Sequence, residues 1–309
     1  MTTTTPGRPA RNALAFVVVA SCIGFVGWGI AKDIDQVDLA DLDWGAAARA
    51  SVVLAVAYVF RALSFGVVVK SMDRAAPLWT SARVFLGAQL GRYVPGKIWQ
   101  VAGAGYLASR FGTSATASVV GTTYYVVVHN LVGALLGLWV VVQRFPETAE
   151  SDATWVLLIA GVLAVGFASS PAFARLVRWA GTKVGKELDF HAVPVWVAPL
   201  TILSSLVVWS LFGVAVVEVF GATVPLEAPP PLEAAITHMA AASVAGLAVL
   251  IAPSGLGVRE AVFVAAFSDR YSVAVAGLVA LVLRLLMSVL EAFLSALSIA
   301  LPAKKHVAG

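Results

Sequence analysis

Long runs of apolar residues constrain this chain more than any other feature. A helix needs about 20 such residues to cross a bilayer, and six runs approach or exceed that length. They span residues 13–31, 50–69, 114–142, 154–170, 195–220 and 272–301. The alternating segments of about ten residues that build transmembrane β-barrels do not occur in the sequence. We therefore predict an all-α polytopic membrane protein with six transmembrane helices.

Two further hydrophobic regions are interrupted. Residues 84–109 break at Pro95-Gly96, and residues 235–268 break at Pro253-Ser254-Gly255. Each piece of the first region has about eleven or twelve residues, too few to cross alone. We predict that both regions form re-entrant helical hairpins, with tips buried in protein or lining a wet cavity. One alternative stays open: residues 235–252 could span alone, which would place Arg259 in the cytoplasm.

The distribution of lysine and arginine predicts the orientation of the chain. With a cytoplasmic N-terminus, twelve cations fall in cytoplasmic segments: Arg8, Arg11, Lys70, Arg74, Arg83, Arg110, Arg175, Arg178, Lys183, Lys186, Lys304 and Lys305. Four fall outside: Lys32, Arg49, Arg144 and Arg270. This asymmetry predicts that both termini are cytoplasmic. Because the net charge of +4 arises in short loops beside the spans, we expect no nucleic-acid partner.

The order of span, hairpin and long span occurs twice. We predict a single integral membrane domain over residues 1–309 with two repeats, 50–142 and 195–301. Residues 13–49 form the first helix and an outer loop, 143–194 form a connecting helix and loops, and 1–12 and 302–309 are cytoplasmic tails. Because the two hairpins enter from opposite sides, the repeats are inverted. Matched interruptions in two halves are typical of a transporter's binding site, although prolines can also simply kink a helix.

Charged residues occur inside the predicted membrane region, where each should cost a few kcal/mol unless it is paired or hydrated. The cations are Arg61, Arg92, Lys97, Arg259 and Arg284, and the acids are Glu218, Glu260 and Glu291. The cation surplus favours an anionic substrate such as a lipid phosphate. A helix that begins just after each break would add its N-terminal amides to such a site. His129 is either a proton carrier or a hydrogen-bonded core histidine, and we favour the second.

Motifs for chemistry are absent from the sequence. It contains no zinc-type cluster of histidine and cysteine, no nucleotide-binding loop and no nucleophile elbow. Its single cysteine, Cys22, excludes a disulfide within the chain. We expect no catalytic residues, no metal and no cofactor.

The two interrupted segments resemble a known pair of motifs. "GRYVPGKIWQ" (residues 91–100) and "PSGLGVREA" (residues 253–261) are similar to those of the lysylphosphatidylglycerol synthase transmembrane family, which includes the flippase half of the multiple peptide resistance factor. The resemblance extends over roughly residues 13–301. It implies a bacterial cytoplasmic-membrane protein that moves lipids between leaflets. The matching residues, to which it assigns substrate binding, are Arg92, Pro95, Gly96, Lys97, Pro253, Gly255, Gly257, Arg259 and Glu260. Arg61, His129, Arg284 and Glu291 are the supporting polar residues of the membrane region.

The chain departs from the two-domain members of that family. Those proteins carry a cytoplasmic aminoacyl-transferase domain after the membrane region, and no such domain follows within these 309 residues. We therefore expect a flippase rather than an enzyme, with an aminoacylated or anionic phospholipid as cargo. The alternatives are a flippase for a polyprenyl-phosphate-linked glycolipid, a non-transporting scaffold for a lipid- or glycan-modifying enzyme, and an intramembrane lipid transferase. A membrane lipid is the expected partner, and a separate lipid-synthesising enzyme and a homodimer stay open.

Overall fold

The computed structural model describes residues 43–94, 98–144, 152–168, 170–183, 193–223, 228–249 and 253–301. Within these ranges the chain is almost entirely helical and contains no strand. Ten α-helices are described: α1 Trp44–Met72, α2 Leu78–Ala88, α3 Trp99–Arg110, α4 Ala115–Arg144, α5 Asp152–Ala168, α6 Pro171–Lys183, α7 Val197–Thr223, α8 Leu232–Ala248, α9 Val258–Phe267 and α10 Val273–Ala300. The predicted span 13–31, the two predicted tails, and Pro95, Gly96 and Lys97 lie outside the described residues.

Four helices are long and apolar enough to cross a membrane: α1, α4, α7 and α10. They coincide with the predicted spans 50–69, 114–142, 195–220 and 272–301. Side chains fix where two of them begin. Asp43 accepts hydrogen bonds from the backbone N–H groups of Gly45 and Ala46 at the start of α1, and Ser272 caps α10. The prediction of a helical, multi-pass membrane protein is confirmed.

The two interrupted regions each form a pair of shorter helices. In the first, α2 has 11 residues and leads into a 3-10 segment, Gln89–Tyr93, before the 12-residue α3. In the second, the 17-residue α8 is followed by a 3-10 segment, Pro253–Gly255, and the 10-residue α9. At about 1.5 Å per residue, none of the four helices reaches the roughly 30 Å of a hydrocarbon core. Within each region the two helices pack against one another.

Helix contacts repeat between two units of the chain, α1–α4 and α7–α10. The pairs α1·α2, α2·α3, α3·α4 and α1·α4 in the first unit correspond to α7·α8, α8·α9, α9·α10 and α7·α10 in the second. The contacts between the units are reciprocal: α4 of the first unit packs on α7 and α8 of the second, and α10 of the second packs on α1 and α2 of the first. Helix α1 lies against its counterpart α7. The two units therefore wrap around each other, and the last helix of each unit, α4 or α10, packs against the interrupted region of the other unit.

The long helices bury one side and expose an apolar face. On α10, Leu283, Met287 and Glu291 are buried at helical spacing, whereas Leu285 and Val289 are 64% and 58% exposed. An apolar stripe exposed opposite a buried stripe is expected of a helix that faces lipid on one side and protein on the other. Glu291 of α10 is therefore directed inward, toward the region where the units meet.

Arg83 does not occupy the loop in which the charge analysis placed it. Helix α2 begins at Leu78, so that Arg83 is helical and its side chain is buried. Its guanidinium lies over the ring of Phe111 and donates to the carbonyl oxygen of Ser298 at 2.8 and 3.0 Å and to that of Leu301. The last carbonyls of a helix have no partner within the helix. Arg83 therefore caps α10 and ties it to α2.

Candidate functional site

The two 3-10 segments contact each other, and a cavity of about 300 Å³ lies where they meet. Arg92 of the first segment and Ser254 and Gly255 of the second both line it. The long helices supply the rest of the wall, including Arg61 from α1 and His129 from α4. The cavity is therefore built from both units rather than from either one alone.

At the first segment, Arg92 is held by an acidic residue of α10. Its NH1 donates to Glu291 Oε1 at 2.7 Å, and the Tyr93 hydroxyl donates to Glu291 Oε2 at 2.7 Å. The Tyr93 hydroxyl also lies 3.2 Å from the Ser288 hydroxyl on α10. Glu291 is only 3% exposed, so this charge depends on its partners. The pair fixes the first segment to α10.

Two glutamines link the first segment to α3, because Gln89 belongs to the segment and Gln100 to the helix. Gln100 on α3 donates from Nε2 to Oε1 of Gln89 at 3.4 Å, and Arg92 NH1 lies 3.5 Å from the same oxygen. Both glutamines are buried. A buried amide is costly unless it is hydrogen-bonded, so these contacts hold α3 in register with the segment.

The second segment turns on residues with positive φ. Ser254 has φ 50°, and Gly255 and Gly257 have φ 70° and 81°. A Cβ atom on Gly255 would lie 2.8 Å from Cα of Gly246 on α8, which is closer than atoms can pack. Glycine is therefore required at position 255 both by conformation and by the approach to α8. Ser254, which lines the cavity, holds an unfavourable conformation for a residue with a side chain.

Helix α9 begins at this turn, and its residues Arg259 and Glu260 contact different side chains. Glu260 Oε2 accepts from the backbone N–H of Gly257 at 2.7 Å, and Oε1 accepts from Arg284 NH1 at 2.6 Å. Arg259 makes no ion pair with any described residue. Its NH2 instead lies 2.9 and 3.6 Å from the sulfur atoms of Met287 and Met239. Thioether sulfur is a weak acceptor, so Arg259, which lines the cavity, meets no strong acceptor among the described residues.

Arg61 is the second cation on the cavity wall that has no acidic partner among the described residues. It is 6% exposed, and within the described part of the chain its Nε has no hydrogen-bond partner. Its guanidinium carbon lies 5.5 Å from the ring centroid of Phe85 and 6.0 Å from that of Tyr125. Aromatic faces stabilise a cation but do not neutralise it.

His129 is buried and packed between aromatic rings. Its ring centroid lies 4.8 Å from that of Trp209, with the planes 2° apart, and 6.0 Å from that of Tyr125. Its Nδ1 has no hydrogen-bond partner among the residues described. His129 is thus a core histidine by burial, yet it also lines the cavity.

The structure brings most of the sequence-predicted site residues to one place. Arg61, Arg92, His129, Gly255 and Arg259 line the cavity. Glu291 forms an ion pair with Arg92, and Glu260 forms one with Arg284. Pro253 begins the second segment, and Gly257 precedes α9. Pro95, Gly96 and Lys97 lie outside the described residues.

Several polar residues of the wall were missed by sequence reasoning: Gln100, Asn130, Ser243 and Ser254. Each is a polar side chain in or beside an apolar segment. That signal could have selected Gln100 and Asn130. It is weaker for serine, which often bonds to its own helix backbone.

The charges of the wall are of one sign. Three arginines line the cavity, and none of the described residues that line it is acidic.

The profile of one protein family, the lysylphosphatidylglycerol synthase transmembrane region, matches residues 12–294. The chain belongs to this family. No curated protein matches it. Membership in the lysylphosphatidylglycerol synthase transmembrane family gives the chain a membrane-associated function that concerns lipids.

Proposed function

We propose that this family member translocates a lipid with a phosphate-containing headgroup, an aminoacylated or anionic phospholipid, from one leaflet of a bacterial cytoplasmic membrane to the other. The observation that carries the proposal is the cavity where the two interrupted regions meet, lined by Arg61, Arg92 and Arg259. Guanidinium groups bind phosphate oxygens through paired N–H donors. Three guanidinium groups on the wall of a cavity of about 300 Å³ form a binding site for a headgroup and not for acyl chains.

The proposed architecture has six spans, two re-entrant hairpins and cytoplasmic termini. The lengths of α2, α3, α8 and α9 support re-entry, because each is shorter than a hydrocarbon core. The exchange of helix contacts between the two units supports an inverted repeat. In transporters with such repeats, the substrate binds near the midplane where interrupted segments meet.

The proposed transport cycle moves the headgroup through the cavity while the acyl chains stay in the bilayer. Arg61 and Arg259 offer donors that no described carboxylate occupies. Arg92 and Glu260 are tied to α10 through Glu291 and Arg284, which are seven residues apart on that helix. Helix α10 thereby contacts both interrupted regions, and a shift of α10 would alter both at once. We propose that this coupling changes the side from which the cavity is reached.

The proposal involves no chemical step. Translocation requires binding and release only, so we assign no catalytic residue and propose that the protein is not an enzyme. A separate lipid-synthesising enzyme would supply the cargo if that cargo is aminoacylated. Assembly as a homodimer belongs to the same proposal.

Reconstitution into liposomes tests the proposed function. The purified chain is incorporated into vesicles that contain phosphatidylglycerol carrying a fluorescent acyl chain, and an impermeant reductant then bleaches the outer leaflet. If the protein translocates phospholipid, the fluorescence of the inner leaflet should also decay. Vesicles that contain heat-denatured protein are the control. Equal decay in both preparations, repeated with other phosphate-bearing lipids, would refute the proposal.

A further inference from the structure

The arginines of the cavity differ in how far their charges are already balanced. Arg92 is paired with Glu291, and that pair is neutral overall. The other nearby acid, Glu260, is bound by Arg284 and by the N–H of Gly257. Arg61 and Arg259 have no acidic partner among the described residues. The wall therefore carries two positive charges that the neighbouring carboxylates do not offset.

Both unbalanced guanidiniums are removed from bulk water. Arg61 packs on aromatic rings and is 6% exposed. Arg259 is partly buried against the sulfur atoms of Met239 and Met287. A cation held away from water is stable only when an anion or hydrogen-bond acceptors meet it. Two such cations on one wall match a ligand with two negative charges.

Phosphate groups differ in the number of charges that they can offer. A phosphomonoester carries about −1.5 to −2 at pH 7, and a diphosphate carries a similar or larger charge. A phosphodiester carries one negative charge, and an aminoacylated diester adds at least one ammonium group. A carboxylate is the strongest partner for an ammonium group, and the described residues on this wall include none. Placing it beside Arg61 and Arg259 would be repulsive.

We propose that the cavity selects a dianionic phosphate headgroup, a phosphomonoester or diphosphate, and discriminates against aminoacylated headgroups. Arg61 and Arg259 determine this specificity, and Arg92 adds a donor whose charge is already offset by Glu291. Gln100 and Asn130 are further polar residues on the same wall. The inference rests on the proposed transport function only for the movement of the lipid. It narrows the proposed cargo from aminoacylated or anionic phospholipids to anionic ones with a phosphomonoester or diphosphate.

Titration calorimetry on the full chain in detergent tests this selectivity. The probes are short-chain phosphatidic acid as the monoester, short-chain phosphatidylglycerol as the diester, and lysylphosphatidylglycerol as the cationic headgroup. We expect the monoester to bind about tenfold more tightly than the diester, and the lysylated lipid to bind most weakly. Inorganic phosphate separates the two sources of such an anion. If inorganic phosphate binds more weakly than phosphatidic acid, the site is assigned to a lipid. If the two bind equally, the same selectivity is assigned to a soluble phosphate.

Variants connect the selectivity to the two arginines. In Arg61→Gln and Arg259→Gln, the ratio of monoester to diester affinity should fall toward one, whereas the exposed Arg110→Gln should retain the ratio. Each variant is first checked for a single symmetric elution peak and an unchanged helical spectrum. Equal affinity for monoester and diester in the unmodified chain, or tighter binding of the lysylated lipid, would overturn the inference. If the monoester preference holds and no lipid is translocated, the inference stands and the proposed transport function fails.

Discussion

Replacing Arg61 and Arg259 together with glutamine is expected to slow lipid translocation by about a hundredfold, and each single replacement by about tenfold. A hydrogen bond to a charged group contributes about 1.5–3 kcal/mol, and about 1.4 kcal/mol corresponds to a factor of ten. Both side chains would act on the same headgroup, so the double replacement should lose at least as much as either single one, and independent contributions give the hundredfold value. The measurement is the rate of leaflet exchange in vesicles.

Thermal stability of the same variants separates a binding role from a structural one. Arg61 is a buried cation with no acidic partner in the described part of the chain, so its removal should leave the melting temperature in detergent unchanged or raise it. A loss of transport together with retained or higher stability is typical of a residue kept for function. Arg110→Gln, an exposed change on α3, should alter neither property. Wild-type exchange rates in the double variant would contradict the binding role.

Breaking the ion pair between Arg92 and Glu291 should strongly destabilise the protein. Glu291→Ala leaves Arg92 without its carboxylate and removes the acceptor of the Tyr93 hydroxyl. Removing one partner of a buried pair costs about 3–5 kcal/mol. The expected result is a large fall in melting temperature and in the yield of monodisperse protein. Reversal of both charges, Arg92→Glu with Glu291→Arg, should recover part of the loss.

The chain contains a matched control for this experiment. Arg49 and Glu218 also form an ion pair, at 2.9 Å, but their side chains are 60% and 27% exposed. An exposed pair contributes about 0–1 kcal/mol, so Glu218→Gln should barely change the melting temperature. Similar losses from Glu291→Ala and Glu218→Gln, or no recovery in the doubly reversed variant, would refute the structural role given to Arg92 and Glu291.

The sequence predicted the helices because hydrophobic length is a local property. The spans 50–69 and 272–301 lie within a few residues of α1 and α10, and the second predicted break falls between α8 and α9. The caps at Asp43 and Ser272 set the helix starts, and their side chains were not used in the prediction. The beginning of α2 at Leu78 was missed, because Arg83 in a short loop and Arg83 on a buried helix have the same local sequence.

The site was predicted in composition but not in pairing. Charges within apolar segments identified Arg61, Arg92, Arg259, Glu260, Arg284 and Glu291. The structure pairs Arg284 with Glu260 of the second interrupted region. It pairs Glu291 with Arg92 of the first. That pairing depends on the packing of α10 against the other unit, a tertiary contact between residues 199 positions apart. No local pattern encodes it.

Blocking the cavity tests the central claim most directly. In a Cys22→Ser background, which removes the single native cysteine, Ser243→Cys places a thiol on the cavity wall. Ser210→Cys places one on the exposed face of α7. Each purified variant is reconstituted and its lipid exchange is measured before and after reaction with a benzyl methanethiosulfonate. If headgroups pass through the cavity, the reagent should stop exchange in the Ser243→Cys protein and leave the Ser210→Cys protein unchanged. Undiminished exchange by fully modified Ser243→Cys protein would contradict the account.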